Sequence, residues 1–365
     1  MSVPPETDTP VGGSTALDES GPRHSAPAAA RRGPSARLWA LLAALLVVVV
    51  VVALVVTQGE DGDGPATGEG PGGGNATWLS GVSGPGSITG EIGQWRGRPV
   101  EVSSTWVDNN DAMVRLTQLQ PGGELDGYDA PLDVAVGAIG DGETWAGAAA
   151  GDYDDRWRES LTNLKGIWGD RTATMYIRFA HEMNGNWYDW KVTEDDAEDF
   201  RAAWIRYRAL QQEVFPESQL VFSVNRESVD TGIDWRETFP GAEYVDVLGV
   251  DYYNNFPYVA DADDWASSLD DVDEFGGPKG LDQHLAFAKS VGKPLVVSEW
   301  SGNADAGDSP AFIQGMYDFF SKHGGTGPGQ LLYEVQYNVG NDDGRWLLYG
   351  DTRMPESAAL YRELF

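Results

Sequence analysis

Two glutamates carry the chemistry that can be read from this sequence. The run Arg178-Phe179-Ala180-His181-Glu182-Met183-Asn184-Gly185-Asn186-Trp187-Tyr188-Asp189-Trp190 ends an apolar strand in a His-Glu pair and opens into aromatic residues. The run Pro294-Leu295-Val296-Val297-Ser298-Glu299-Trp300 ends a second apolar strand in a second glutamate beside another tryptophan. Most glycosidases break an acetal with two carboxyl groups, one to protonate the departing oxygen and one to attack the anomeric carbon or activate water. Indole and phenol rings offer the apolar faces on which sugar rings stack. A carboxylate pair framed by such rings points to glycoside chemistry.

The two glutamates need elements that bring them together. Parallel strands of a barrel all finish on one face, so residues distant in sequence can converge across its mouth. Short apolar runs and amphipathic stretches alternate along the chain, the pattern of a parallel sheet wound with helices. Strands are predicted near Leu79–Val82, Val100–Thr105, Leu132–Ile139, Thr174–Phe179, Leu220–Val224, Val245–Val250, Leu295–Ser298 and Leu331–Tyr337. Eight is the number of a (β/α)8 TIM barrel, and residues 77–365 have the length of one. The clearest helix is Glu194–Glu213, with Ala197, Phe200, Ala203, Trp204, Tyr207 and Leu210 on one face, Thr193 and Asp196 as a capping box, and Pro216 beyond its end. A second helix, Leu281–Val291, stops at Gly292 and feeds the Glu299 strand.

The five residues 181 to 185, followed by tryptophans, resemble the signature of glycoside hydrolase family 26, a family of retaining TIM-barrel enzymes. The resemblance spans roughly residues 77 to 365, although its specific motifs occupy few positions. It implies that Glu182 is the general acid/base and Glu299 the nucleophile. It implies that His181 contacts the sugar being transferred, and that a tyrosine hydrogen-bonds the nucleophile; Tyr253 is the first choice and Tyr252 the second. It implies a β-linked neutral backbone as substrate, with β-1,4-mannan first and β-1,3-1,4-glucan, β-1,3-xylan or a glycan of the producing cell after it. One departure is visible: no tryptophan stands directly at the end of the eighth strand, where mannanases of the family often have one.

Other residues are read from position alone. Trp187 and Trp300 adjoin the glutamates and are expected as stacking platforms, with Trp190 as open to a core role as to a binding one. Asn225 ends the fifth strand, where its amide could orient a hydroxyl or simply form a turn. Arg178 lies inside its strand and needs a carboxylate partner in the barrel mouth. Asp133, Tyr153, Asp154 and Trp157, and Asn338, Arg345 and Trp346 after the eighth strand, are read first as structural. The expected reaction is double displacement with retention, the carboxyl groups standing about 5 to 5.5 Å apart and Glu182 raised toward neutrality by its neighbour.

Competing chemistries lack their residues. A His-Glu pair also opens a metalloprotease motif, but the second histidine would fall at position 185, which is Gly185. There is no cysteine, no serine-hydrolase elbow and no phosphate-binding loop, and the acidic stretch Asp261–Asp273 lacks the ligand spacing of an EF-hand. No metal or cofactor is expected. A barrel that binds glycans without cutting them is the reading of another class; the presence of both glutamates argues against it.

Ahead of the barrel, residues 1–37 read as a Pro/Ala/Ser-rich cytoplasmic tail whose composition predicts disorder, and 57–76 as a flexible Gly- and acid-rich linker. Leu38–Val56 is an unbroken apolar run of 19 residues, long enough at about 1.5 Å per residue to cross a bilayer. Arg31, Arg32 and Arg37 precede it and Glu60, Asp61 and Asp63 follow, which orients the amino terminus inward and the large domain outward. A cleaved signal peptide is the alternative, but its core is shorter and ends in small residues. Residues 1–57 contain four acids and four bases, so the net charge of −32 lies wholly beyond them. Nucleic acid and polyanionic glycans would be repelled, leaving a neutral polysaccharide and the membrane as partners of a monomeric catalytic domain.

Overall fold

The computed structural model describes residues 77–107, 114–340 and 342–365. Eight parallel strands form a single sheet: β1 Leu79–Ser83, β2 Ser103–Val107, β3 Leu132–Val136, β4 Met175–Phe179, β5 Gln219–Asn225, β6 Val247–Tyr253, β7 Leu295–Ser301 and β8 Leu331–Tyr337. The strand order β1-β8-β7-β6-β5-β4-β3-β2 returns the first strand to the side of the second. There the Glu101 N–H donates to the Ser80 carbonyl at 3.0 Å and the Ser103 hydroxyl to the Val82 carbonyl at 2.9 Å. Gly81 permits this approach, because a Cβ on it would lie 2.4 Å from the Val102 oxygen. The sheet is thus a nearly closed barrel, as predicted.

Alternation along the strands sorts side chains into two cores. Val102, Tyr176, Val221, Val247, Val296, Tyr333 and Val335 fill the barrel. Their neighbours, among them Met175, Ile177, Phe179, Val250 and Val297, face the surrounding helices. These are α1 Glu91–Arg96, α2 Trp145–Ala150, α3 Asp154–Trp168, α4 Ala197–Val214, α5 Ala262–Ser268, α6 Leu281–Ser290, α7 Pro310–His323 and α8 Pro355–Leu364. The expected face of α4 is buried, and the Thr193–Asp196 capping box is formed, with a tight 3-10 turn at Glu194–Asp196 before the α-helix begins.

The alternation of strand and helix is less regular than the sequence pattern suggested. Two short 3-10 turns, Trp235–Thr238 and Ala242–Tyr244, are the helical elements between β5 and β6, because Gly232, Pro240 and Gly241 interrupt any longer periodic stretch. Strands β6 and β7 run to Tyr253 and Ser301, past their predicted ends, so Glu299 lies inside its strand. Among the described residues no helix is long and apolar enough to cross a membrane. Leu38–Val56, the tail and the linker lie outside the described residues.

Candidate active site

Each residue of the 181–185 run has a physical task. Beyond β4 the chain is held in a sparsely populated conformation, with Ala180 and Glu182 both at φ 52°. Such strain persists only where surrounding bonds impose it. Here the Glu182 N–H donates to the Ser223 carbonyl at 3.1 Å and the Val192 N–H to the Met183 carbonyl at 2.7 Å. Asn184 clamps the end of β5, its amide donating to Asn225 O at 2.9 Å and accepting from Asn225 N–H at 2.8 Å. Gly185 makes room for an indole, since a Cβ there would stand 2.3 Å from the Trp187 ring. Trp187 Nε1 in turn donates to Glu182 Oε2 at 3.0 Å, and 46% of Trp187 is exposed. One side chain both orients the carboxyl group and offers a face to ligand.

His181 is buried and lies 3.1 Å from the Tyr188 hydroxyl through Nε2. Burial, aided by the charge of Arg178, holds its pKa well below the usual histidine range, so the imidazole is neutral. Trp190 donates to the His181 carbonyl at 2.8 Å and stacks on Tyr188. It is fully buried, which resolves its open role in favour of structure.

Glu299 enters the barrel through an irregularity. Val250 pairs with Val297, yet Asp251 pairs with Glu299, which leaves Ser298 as an extra residue in β7. Strict alternation would point Glu299 outward with Val297; the bulge turns it inward. There Arg178 reaches three carboxylates: Asp133 at 2.6 Å, Asp251 at 3.0 Å and Glu299 Oε1 at 2.9 Å. The partner expected for Arg178 is thus a whole cluster. Burial works against the guanidinium charge, but the three carboxylates together hold its pKa well above the ordinary value. Burial pushes the Asp251 carboxyl well above the usual carboxylate range, against the pull of Arg178 and with the charges of Glu299 and Glu182 adding to the rise. The Tyr333 hydroxyl closes the cluster on Asp133 at 2.7 Å.

The Tyr253 hydroxyl donates to Glu299 Oε2 at 2.8 Å. Both oxygens of Glu299 are therefore oriented, one by Arg178 and one by Tyr253. Burial, then the neighbouring carboxylates, raise the Tyr253 pKa well above its ordinary value, so the phenol keeps its proton.

Two expected ligand contacts are corrected. Tyr252 is fully buried on the outer side of β6, with the Arg226 guanidinium 4.3 Å from its ring and Phe312 of α7 stacked beside it. Trp300 is fully buried outside the barrel, packed on Phe312, Phe320, Tyr361 and Phe365 with its Nε1 donating to Glu334. Both follow from alternation: they neighbour inward residues and so face outward. Asn225 lies at the mouth opposite Asp251, but its amide nitrogen donates to Glu227 O at 2.7 Å, so half of the group is committed to the turn.

The loops add what position alone did not reveal. Trp346, read as structural, returns to the site and places its ring 4.7 Å from that of Tyr253. It supplies a half-buried indole where the strand end itself has none. Asn338 accepts from the Leu348 and Tyr349 N–H groups at 2.9 Å and pins that loop. Asp251 is not among the residues singled out from sequence, although an acid between the apolar run Val247–Val250 and its following tyrosines is a signal that it needs a buried partner. Trp157 and Asp154 are structural, the first bonded to Ala138 O and the second to Arg206.

A family model for glycosyl hydrolase family 26 matches residues 150–299, a stretch that contains Glu182 and closes on Glu299. Endoglucanase H of Acetivibrio thermocellus is 23% identical over 194 residues, 52% of this chain and 20% of that protein. A mannan endo-1,4-β-mannosidase of Bacillus subtilis is 26% identical over 183 residues, 47% of this chain and 49% of that one. The matched part thus spans half or less of these relatives. Among solved structures, the catalytic domain of an endo-β-1,4-mannanase of Bacillus sp. JAMB-750 superposes with a TM-score of 0.55 at 15% identity, over 78% of this chain and 85% of the other. A β-mannanase of Bacteroides ovatus gives 0.54 at 14% identity, over 80% and 88%. The resemblance to glycoside hydrolase family 26 read from residues 181 to 185 holds, and these matches indicate a glycoside hydrolase.

Proposed function

We propose that the chain is a retaining glycoside hydrolase acting on a β-linked neutral polysaccharide, with β-1,4-mannan the first candidate. The observation that carries this reading is the orientation of two glutamates at one barrel mouth: Glu182 by the Trp187 indole and Glu299 by Arg178 and Tyr253. In the proposed reaction Glu182, protonated, donates to the glycosidic oxygen while Glu299 attacks the anomeric carbon. A glycosyl ester forms on Glu299, and Glu182 then removes a proton from the water that hydrolyses it. Neutral His181 and the buried phenol of Tyr253 supply hydrogen bonds without adding charge. Mannan is favoured by the B. subtilis relative, and a glucan by the endoglucanase relative.

We further infer that Leu38–Val56 anchors the protein with its catalytic part outside the cell, a reading supported by the length of that run and the basic residues before it. A single experiment tests both statements. Intact cells producing the full chain are incubated with mannan, mixed-linkage glucan and xylan, then broken and fractionated. Reducing ends should appear outside the cells, the activity should sediment with the membranes, and the first-formed product should keep the β configuration. Glu182→Gln should slow natural substrates by about 10²- to 10⁴-fold, and Glu299→Ala should abolish turnover. Unchanged turnover in either variant would sink the site, an α product the retaining mechanism, and soluble activity the anchor.

A further inference from the structure

The extra residue in β7 is registered by both neighbouring strands. On the β6 side Val250 and Asp251 pair with Val297 and Glu299; on the β8 side Glu334 and Gln336 pair with Val297 and Trp300. Over this stretch β8 is regular, since β1 pairs with it residue by residue from Leu79 to Ser83. The irregularity therefore belongs to β7, a strand paired on both sides, where a bulge disrupts the ladder. A regular β7 would regain those bonds and would exchange the faces of the residues beyond Ser298. Some other interaction must favour the bulged register.

Glu334 offers that interaction. It lies between Tyr333 and Val335, which fill the barrel, and so points outward toward the helices, where it is fully buried. Trp300 Nε1 donates to its Oε2. The bond spans the bulge, because Trp300 follows the extra residue while Val297, the ladder partner of Glu334, precedes it. In a regular β7 residue 300 would face the barrel interior and its indole could not reach Glu334, leaving a buried carboxyl without that donor at a cost in free energy. Glu334 is itself fixed from behind. Ser80 is its ladder partner on β1, and Arg96 Nη1 donates to the hydroxyls of Ser80 and Tyr361, both at 2.9 Å. Burial raises the Glu334 pKa, against the hydrogen bonds of Ser80 and Trp300 and the charges of Arg96 and Arg98. An apolar residue would fill this place without that conflict; what the carboxyl adds is a bond that only the bulged register can make.

We propose that Glu334 is a positioning residue for Glu299: by holding the Trp300 indole across the extra residue of β7, it selects the register that presents the Glu299 carboxylate to Arg178 and Tyr253. The assignment rests on the hydrolase reading with Glu299 as the proposed nucleophile, and it adds a residue outside the barrel that touches no substrate. A carboxylate displaced from its line of attack loses much of its rate without loss of substrate binding.

The test is kcat and KM of the full chain on the polymer that it cleaves and on an aryl β-glycoside of the same sugar whose leaving group needs no proton, with denaturant midpoints measured alongside. Glu334→Leu removes the acceptor; Trp300→Phe removes the donor but keeps a ring against Phe312 and Phe320. Each should lower kcat by about 10- to 100-fold with KM little changed. The loss should appear on both substrates, because attack by Glu299 is impaired whatever the leaving group. Glu334→Gln, whose amide oxygen can still accept from the indole, should retain most of kcat. Should Glu334→Leu fail to fold, Trp300→Phe decides. A lowered midpoint in Trp300→Phe with kcat per folded molecule unchanged would mean a structural role and overturn the proposal, as would a loss in Glu334→Gln equal to that in Glu334→Leu; in both cases the hydrolase reading stands. Silence of the unaltered chain on both substrates would sink the hydrolase reading and the positioning role together.

Discussion

The hydroxyl of Tyr253 is the donor to Glu299 that a single atom's removal can test. A hydrogen bond to a charged group is worth about 1.5 to 3 kcal/mol, and loss of that much at the proposed nucleophile corresponds to a rate decrease of about 10- to 100-fold. Tyr253→Phe should show this decrease in kcat with little change in KM, measured on the polymer that the unaltered enzyme cleaves best. Arg178 would still hold Oε1, so activity should survive at a reduced level; full activity would mean that the phenol does not assist the attack. Tyr252→Phe is the control, because that side chain lies behind the strand. The sequence could place two adjacent tyrosines near Glu299, but only the face of the strand on which each sits separates them.

The decisive element is β7. Its bulge at Ser298 changes the parity of the strand, so that Leu295 and Val297 pack outward while Glu299 faces Arg178. Deleting Ser298 should restore simple alternation, turn Glu299 out of the barrel, and reduce activity to the level of Glu299→Ala. Ser298→Ala keeps the extra residue and should retain most activity, since the Ser298 Oγ has no hydrogen-bond partner among the described residues. Turnover and the circular dichroism of both variants would be compared; an active deletion variant would show that the bulge does not set the direction of Glu299. The same parity explains the misreading of Trp300. Adjacency to an inward-facing residue such as Glu299 in a strand places a side chain on the opposite face, whereas the loop residue Trp187 is free to come back over Glu182.

The whole barrel contributes a pH dependence through buried histidine. His284 stacks on Trp235 at 5.3 Å, lies 3.1 Å from the Arg226 carbonyl, and has its pKa pushed down to about 4, mainly by burial. In the unfolded chain it titrates near about 6.5, so between those values the unfolded state binds the additional proton. Stability from this group is full above about pH 6.5 and is lost as pH falls toward 4, by up to about 3 kcal/mol. Burial depresses His181 in the same direction, whereas Asp251 and Glu334, both raised by burial, act with the opposite sign. A difference measurement removes those shared terms. The denaturant midpoint of the unaltered protein should exceed that of His284→Gln at pH 7 and approach it at pH 4; a gap independent of pH would rule out the linkage.

What the sequence by itself determined was whatever local pattern controls. Alternating apolar runs marked eight strands, the 181–185 run and the Glu299 strand marked the two glutamates, and Arg178 inside an apolar strand announced a carboxylate partner. These follow from periodicity and from the cost of burying an unpaired charge. Tertiary structure decided the rest, for reasons of register and return of the chain. One extra residue in β7 selected Glu299 over Trp300 for the interior. Three strands were needed to gather Asp133, Asp251 and Glu299 around one guanidinium. A loop beyond β8 had to fold back before Trp346 could stand against Tyr253, a contact that no spacing in the linear chain encodes.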